Sequence, residues 1–299
     1  MKKLTLHLGL PKTGTTSLQD HYFPQVGGDI DYVGKVNGER LTHPILASMR
    51  NYLDCGEKSL EGNLSRLKTN IESHAFDNIL ISDEMFVVSS NGVSWEEKLR
   101  RLSRIPAQCE EISIEKVIVV FRNPLDAVYS FYVETFQLNK KAYRSCLDFV
   151  KNSDQAKIYN YKYLSSVLFE LFDSKVVSWR SYEHAIESGG LWSILEDEGF
   201  QISVPTEDKW SNTKKRVGDS YISNPFTLEN YLVGWPLVRA AKQHLPRSSV
   251  SFLRSLLSKV RLSRGKVVAK PSPAEALEIT DILLRDIKQC PFISSEEFF

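Results

Sequence analysis

Leu4, Leu6 and Leu8 alternate with Thr5 and His7 over residues 3–9, the period of two that marks a strand. Two later runs, NILISDE (78–84) and KVIVVFRNP (116–124), are nearly continuously apolar and rich in branched residues. Runs of that kind suit a parallel sheet covered on both faces. SKVVSWRSYEHAI (174–186) reads as a strand followed by a helix. Between these stretches the spacing turns helical: TTSLQDHYF (15–23), the segment after Pro124, and DQAKIYNYKYLSSVLFELF (154–172). KLRRLSR (98–104) has leucines at 99 and 102, which predicts an amphipathic helix with its basic residues in solvent. Two further helices are expected at 238–261 and 273–289, the second opened by PSPAEA.

Gly and Pro punctuate residues 24–45 and 203–236, so both read as irregular excursions. Alternating strands and helices predict an α/β fold, a three-layer sandwich around a central parallel sheet. A single domain over 1–299 is expected, with 203–236 as a lid or acceptor-binding segment. The two aromatic-rich stretches of note, YNYKY (159–163) and WRSYEHAI (179–186), read as core and as helix punctuation; stacking on a sugar or aryl ring is the alternative for YNYKY.

Composition narrows the partners. Lys plus Arg number 38 against 37 Asp plus Glu, so no global charge draws the chain to nucleic acid or to an anionic membrane. Anion binding must come from local placement. The four cysteines (Cys55, Cys109, Cys146, Cys290) form no CxxC pair, which fits a reducing compartment rather than disulfides or zinc. MKK before an apolar run mimics a secretory leader, but that run holds His7 and ends in Pro11-Lys12. No stretch approaches the ~20 apolar residues of a membrane helix. A cytoplasmic location is expected, and oligomeric state is left open.

Candidate chemistry begins at GLPKTGTTSLQ (9–19), a glycine loop between a strand and a helix. Such a loop aims several backbone N–H groups at one point, and the helix dipole there favours an anion. Gly9 and Gly14 keep the glycine spacing of an ATP-binding P-loop, but Thr15 stands where that motif has lysine, and Lys12 lies inside the loop. The missing lysine weakens the case for a triphosphate. A second anion site is suggested by VFRNPLDAVYS (120–130). Asn123 and Pro124 are ordinary helix punctuation, but they leave unexplained an arginine at the end of an apolar strand. Ser130 follows Arg122 by a little over two helical turns, so its hydroxyl can face the same side. Two anion sites at neighbouring strand ends suit a nucleotide with phosphates at both ends of its ribose.

The ordered pair PKTGTTSLQ and, about 110 residues on, FRNPLDAVYS resembles the sulfotransferase family that uses 3′-phosphoadenosine 5′-phosphosulfate (PAPS). The resemblance implies a P-loop-like 5′-phosphosulfate loop made by Pro11, Lys12, Thr13, Gly14, Thr15, Thr16 and Ser17. It implies a 3′-phosphate site at Arg122 and Ser130. Lys12 then serves the bridging oxygen in sulfuryl transfer, with no metal. A base is needed at a neighbouring strand end, where ILISDEMF offers Asp83 and Glu84. In the glycan-modifying branch of that family a glutamate is the base, which puts the role on Glu84; His43 and His74 are the alternatives. The acceptor is expected to be a small molecule or glycan bearing a hydroxyl or amine. TKKRVGDSY (213–221) and SRGK (263–266) match the family's C-terminal basic motif too loosely to assign. Two other readings stand beside this one. LISDE also resembles the strand-plus-acid element that binds Mg²⁺ in NTPases, which would make the chain an atypical P-loop kinase or NTPase. The other is a nucleotide-binding module without catalysis.

Overall fold

A computed structural model of the protein describes residues 1–35, 43–202, 216–218, 220–233, 253 and 255–285. Its centre is a five-stranded sheet of β1 (Lys2–His7), β2 (Ile30–Val33), β3 (Asn78–Ser82), β4 (Ile112–Phe121) and β5 (Val177–Ser181). The strand order is β2-β3-β1-β4-β5, and every pairing is parallel. The chain runs from central β1 to the edge at β2, returns to β3, then passes β1 to reach β4 and β5. Strand order therefore reverses around β1, and the crevice for a ligand in such sheets lies at the carboxyl ends beside the reversal.

Helices cover both faces, as the buried runs of β3 and β4 require. On one face Leu80, Ile118 and Val120 pack with Leu18, Tyr22 and Phe23 from the segment after β1. Ala185, Leu191, Ile194 and Leu195 complete that layer, drawn from α8 (Tyr182–Glu187), α9 (Ser193–Asp197) and the turn between them. On the other side α2 (Pro44–Asp54), α4 (Trp95–Gln108) and α7 (Tyr161–Leu171) touch one another in series. The right-handed rule for parallel crossovers demands this division, because β1-to-β2 runs one way across the sheet and every later crossover runs the other. The expected α/β architecture is present.

Several boundaries differ from the sequence pattern for local reasons. β3 stops at Ser82, because Asp83 caps a 3-10 turn over Glu84–Val87 by accepting from Met85 N at 3.0 Å. The run 154–172 is broken at Asn160, whose side chain accepts from Tyr163 N at 3.0 Å and opens α7 after a 3-10 turn. The C-terminal helix is Pro273–Leu284, ending in a turn at 285; residues 286–289 of its expected range lie outside the described residues, as does much of 238–261 and of the proposed lid at 203–236.

Among the described residues, 1–127, 153–202 and 279–285 form one compact unit, and 128–152 with 216–278 the other. The second has its own core. Three antiparallel strands, Arg216–Val217, Ser220–Ile222 and Val267–Val268, lie beside Tyr129, whose hydroxyl donates to Val268 O at 2.8 Å. Tyr132 and Tyr143 both pack on Phe149. None of the described helices is long and apolar enough to cross a membrane.

The amphipathic reading of 98–104 holds for the helix and for Arg104, which is exposed, but not for two of its four basic residues. Lys98 and Arg101 are buried, not solvated. Lys98 pairs with Asp54 and donates to Met85 O at 3.2 Å and Ser90 Oγ at 2.7 Å. Burial pushes its ammonium below the usual lysine range, against the pull of Asp54. Arg101 meets three backbone carbonyls at the end of α2 and just beyond it, together with Glu57 and Glu97. Lys98→Ala is therefore expected to lower unfolding free energy by about 3 kcal/mol in urea titration, since it strands Asp54 and two acceptors. Replacing Lys98 and Asp54 together by Met and Leu should cost clearly less, because no lone charge remains.

Candidate active site

The strand ends of β3, β1 and β4 are neighbours, and each releases a segment with candidate chemistry at the same edge of the sheet. After β1 the chain enters a loop in which Gly9, Lys12 and Gly14 all have positive φ, at 60°, 70° and 81°. For Lys12 that conformation carries a steric penalty, so the surroundings must hold it. They do so through Leu10, whose carbonyl accepts from Thr13 Oγ1 at 2.7 Å and from Thr15 Oγ1 at 3.1 Å. Tyr159 adds a third tie, donating to Pro11 O at 3.0 Å. Gly9 has a second reason to lack a side chain. A Cβ there would lie 2.8 Å from Thr15 Cγ2 and 3.1 Å from Glu84 N. The loop ends in α1 (Thr15–Ser17), which continues as a π-helical turn over Leu18–Tyr22. The first N–H groups of a helical run have no acceptor within it.

A buried network sets the floor of this loop. Gln19 Nε2 donates to Ser82 Oγ at 3.0 Å and Ser82 O at 3.2 Å, and Ser82 Oγ lies 2.7 Å from His7 Nδ1. Complete burial pushes His7 down to about 3, so it is a neutral structural residue.

Arg122 follows β4 and leans back toward the loop: its Nη1 donates to Lys12 O at 3.3 Å. Its guanidinium lies 5.0 Å from the Tyr182 ring centroid, within cation–π range. Tyr161 clamps its backbone, donating to Arg122 O at 2.6 Å and accepting from Arg122 N at 3.3 Å. Glu183 stands beside it, with Oε1 3.9 Å from Arg122 Nε and 2.9 Å from Asn123 N. Burial pushes Glu183 above the usual carboxylate range, while Asn123 N–H and Arg122 pull the other way. Arg122 Nε is buried with no hydrogen-bond partner.

Glu84 opens the turn after β3 and is half-buried. Its charge reaches Tyr159, whose hydroxyl is raised well above the usual range, chiefly by burial. Asp83, one residue earlier, is fully engaged: Arg50 Nη2 donates to its Oδ1 at 2.6 Å and Arg50 Nε pairs with its Oδ2. A carboxylate so paired makes a poor Mg²⁺ ligand, which weighs against the NTPase reading of LISDE.

Lys12, Glu84 and Arg122 are thus brought together through their backbones and loops. Pro11, Thr13, Thr15 and Ser17 are buried, Thr16 half-buried. Ser130 is buried on α5 (Pro124–Asn139), in the part of that helix belonging to the second unit. His74 and His43 lie elsewhere: Lys2 Nζ, at the amino end of β1, donates to His74 O at 2.6 Å, and the His43 ring is 5.3 Å from that of His74. Neither reaches the Glu84 turn. The sequence reading missed Tyr159 and Tyr161 as supports of the two loops. They were legible only as core aromatics, because nothing in YNYKY reports which carbonyl a buried phenol must find.

No family model and no curated protein matches the chain. Among solved structures, one similar chain is a sulfotransferase from Alicyclobacillus acidocaldarius, with a TM-score of 0.43 at 11% identity. The match covers 71% of this chain and 86% of that one. Likeness at this level carries no functional assignment.

Two substitutions test the geometry without any ligand. Gly9→Ala combines a positive φ with a 2.8 Å clash and is expected to lower stability by more than about 1 kcal/mol in denaturant melts. Tyr161→Phe removes one donor and one acceptor at the Arg122 backbone and should cost about 1–3 kcal/mol.

Proposed function

We propose that the protein is a sulfotransferase that moves a sulfuryl group from PAPS to a hydroxyl, of carbohydrate type, or to an amine, and releases the 3′,5′-bisphosphate PAP. One observation carries this reading. The left-handed loop, the Glu84 turn and Arg122 leave three neighbouring strand ends, and Arg122 is hydrogen-bonded to the carbonyl of Lys12. A nucleotide with anions at both ends of one ribose needs two cationic strand ends that close together.

The residues suit such a donor. A side chain on Gly9 would crowd the loop against Glu84, and the buried Arg122 Nε has no protein acceptor. When bound, PAPS supplies an activated sulfuryl group on a phosphate leaving group. Pro11 and Gly14 shape the loop, and backbone N–H groups of Thr13 to Ser17 bind the 5′ end. The hydroxyl protons of Thr13 and Thr15 are taken by Leu10 O, so these two residues brace the loop and contribute through the backbone, while Thr16 and Ser17 bring hydroxyls. Lys12 neutralises charge on the bridging oxygen as it leaves. Arg122 and Ser130 hold the 3′-phosphate. Glu84 accepts the proton of the acceptor hydroxyl. The acceptor is bound by the loops around this edge, and none of these steps uses a metal. A cytoplasmic setting, where PAPS and reduced thiols coexist, fits the same reading.

Melting curves with PAP, with 5′-AMP, and with ATP plus Mg²⁺ test it. A ligand at 100 times its Kd stabilises by about 2.7 kcal/mol, a measurable shift. PAP should raise the melting temperature, 5′-AMP should not, and Arg122→Ala should abolish the PAP shift. A shift with ATP and Mg²⁺ alone would sink the proposal. For Glu84→Gln the expected result is sulfuryl transfer reduced by a factor of about 10²–10⁴ with PAP affinity nearly intact. Equal losses of both would remove Glu84 from the chemistry.

A further inference from the structure

At the opposite edge of the sheet, three metal-ligating side chains from distant parts of the sequence meet. Asp31 lies on β2, His43 caps α2, and His74 follows α3 (Leu60–Glu72). One potential ligand atom from each lies within 4.8 Å of the other two. His74 Nε2 and Asp31 Oδ2 are 2.9 Å apart, and the two imidazole rings meet edge to face at 5.3 Å. Asp31 is level with Ile79, the second residue of β3, whereas Glu84 lies beyond its last. At about 3.3 Å per residue, five residues separate the cluster from Glu84 by roughly 16 Å along the strand direction.

We infer that Asp31, His43 and His74 form a binding site for a Zn²⁺-class divalent ion, with water completing the coordination, that staples β2 to the α2–α3 hairpin. Two imidazoles and one carboxylate are a donor set for borderline divalent ions and are poorly suited to Ca²⁺ or Mg²⁺. The spacing is close to what such an ion needs. Ligand atoms ~2.0–2.1 Å from a tetrahedral zinc lie about 3.3 Å from one another. The Asp31–His74 pair opens by a few tenths of an ångström as the ion replaces their shared proton, which moves to His74 Nδ1. His43 closes in from its present position. Its Nδ1 accepts from Ile45 N at 3.2 Å, so coordination through that nitrogen gives up a long helix cap worth about 1 kcal/mol. A site at this edge has no part in the chemistry proposed at the other. What it fixes is an edge strand and a pair of helices that lack a covalent tie.

The test uses the full chain, freed of metal by chelator and titrated with Zn²⁺ by calorimetry and with Co²⁺ by visible absorption. One equivalent of Zn²⁺ is expected, with the d–d bands of a low-symmetry Co²⁺ site and a rise in melting temperature. His74→Ala should weaken Zn²⁺ binding at least tenfold. His43→Asn is the safer variant, because asparagine still caps α2 but offers no imidazole. It should fold as well as the metal-free protein and lose the Zn²⁺-dependent rise. Zn²⁺ binding that is absent, or equal in the parent protein and both variants, overturns the assignment; binding at the cysteines would give the second pattern. PAP melting shifts in the same samples report the other edge separately, so either reading can fail alone.

Discussion

The carboxyl edge of this sheet depends on how closely two backbones approach. Gly9 runs so near the start of the Glu84 turn that a single added carbon would sit 3.1 Å from a backbone nitrogen. That contact forces a glycine and positive φ at the first loop residue. It also puts the candidate base beside the candidate anion loop. Everything else at this edge acts to hold the approach: Leu10 O gathers two threonine hydroxyls, Arg50 immobilises Asp83 so that the turn starts in one place, and Lys98 holds Met85 O from below. The stability of the edge is thus made of buried polar contacts, where removal of one partner costs far more than the pair contributes net.

The sequence was most legible where one physical rule acted alone. Strand period and apolar runs located β1, β3, β4 and β5, because burial on both faces leaves no other pattern. The loop after β1 and the helix start after Arg122 were legible because glycine, asparagine and proline punctuate a chain in few ways. Legibility failed where a residue's fate depended on distant chain. Lys98 and Arg101 read as a solvated face, since their partners Asp54, Glu57 and the end of α2 are more than forty residues away. Asp83 and Glu84 could not be told apart from the sequence. Only Arg50, from another helix, marks Asp83 as the acid that builds the turn.

The two edges of the sheet use the same amino-acid types in opposite ways. At the carboxyl edge, a lysine, an arginine and the backbone amides of a helix start gather at neighbouring strand ends, a setting for an anion. At the amino edge, two imidazoles and a carboxylate gather with lysine directed to the His74 carbonyl rather than its ring, a setting for a cation. His7 shows the third outcome. An imidazole sealed in the core with one hydroxyl partner is held neutral and does no chemistry.

Tyr159 and Tyr161 flank a single residue, Asn160, where the chain stops being 3-10 and becomes α-helical. One phenol holds Pro11 and the other holds Arg122. Three consecutive residues thus act as a yoke between the two halves of the candidate nucleotide site. Asn160 itself is extended, so the two carbonyls that the phenols hold are tied to the one residue at which the helical chain opens.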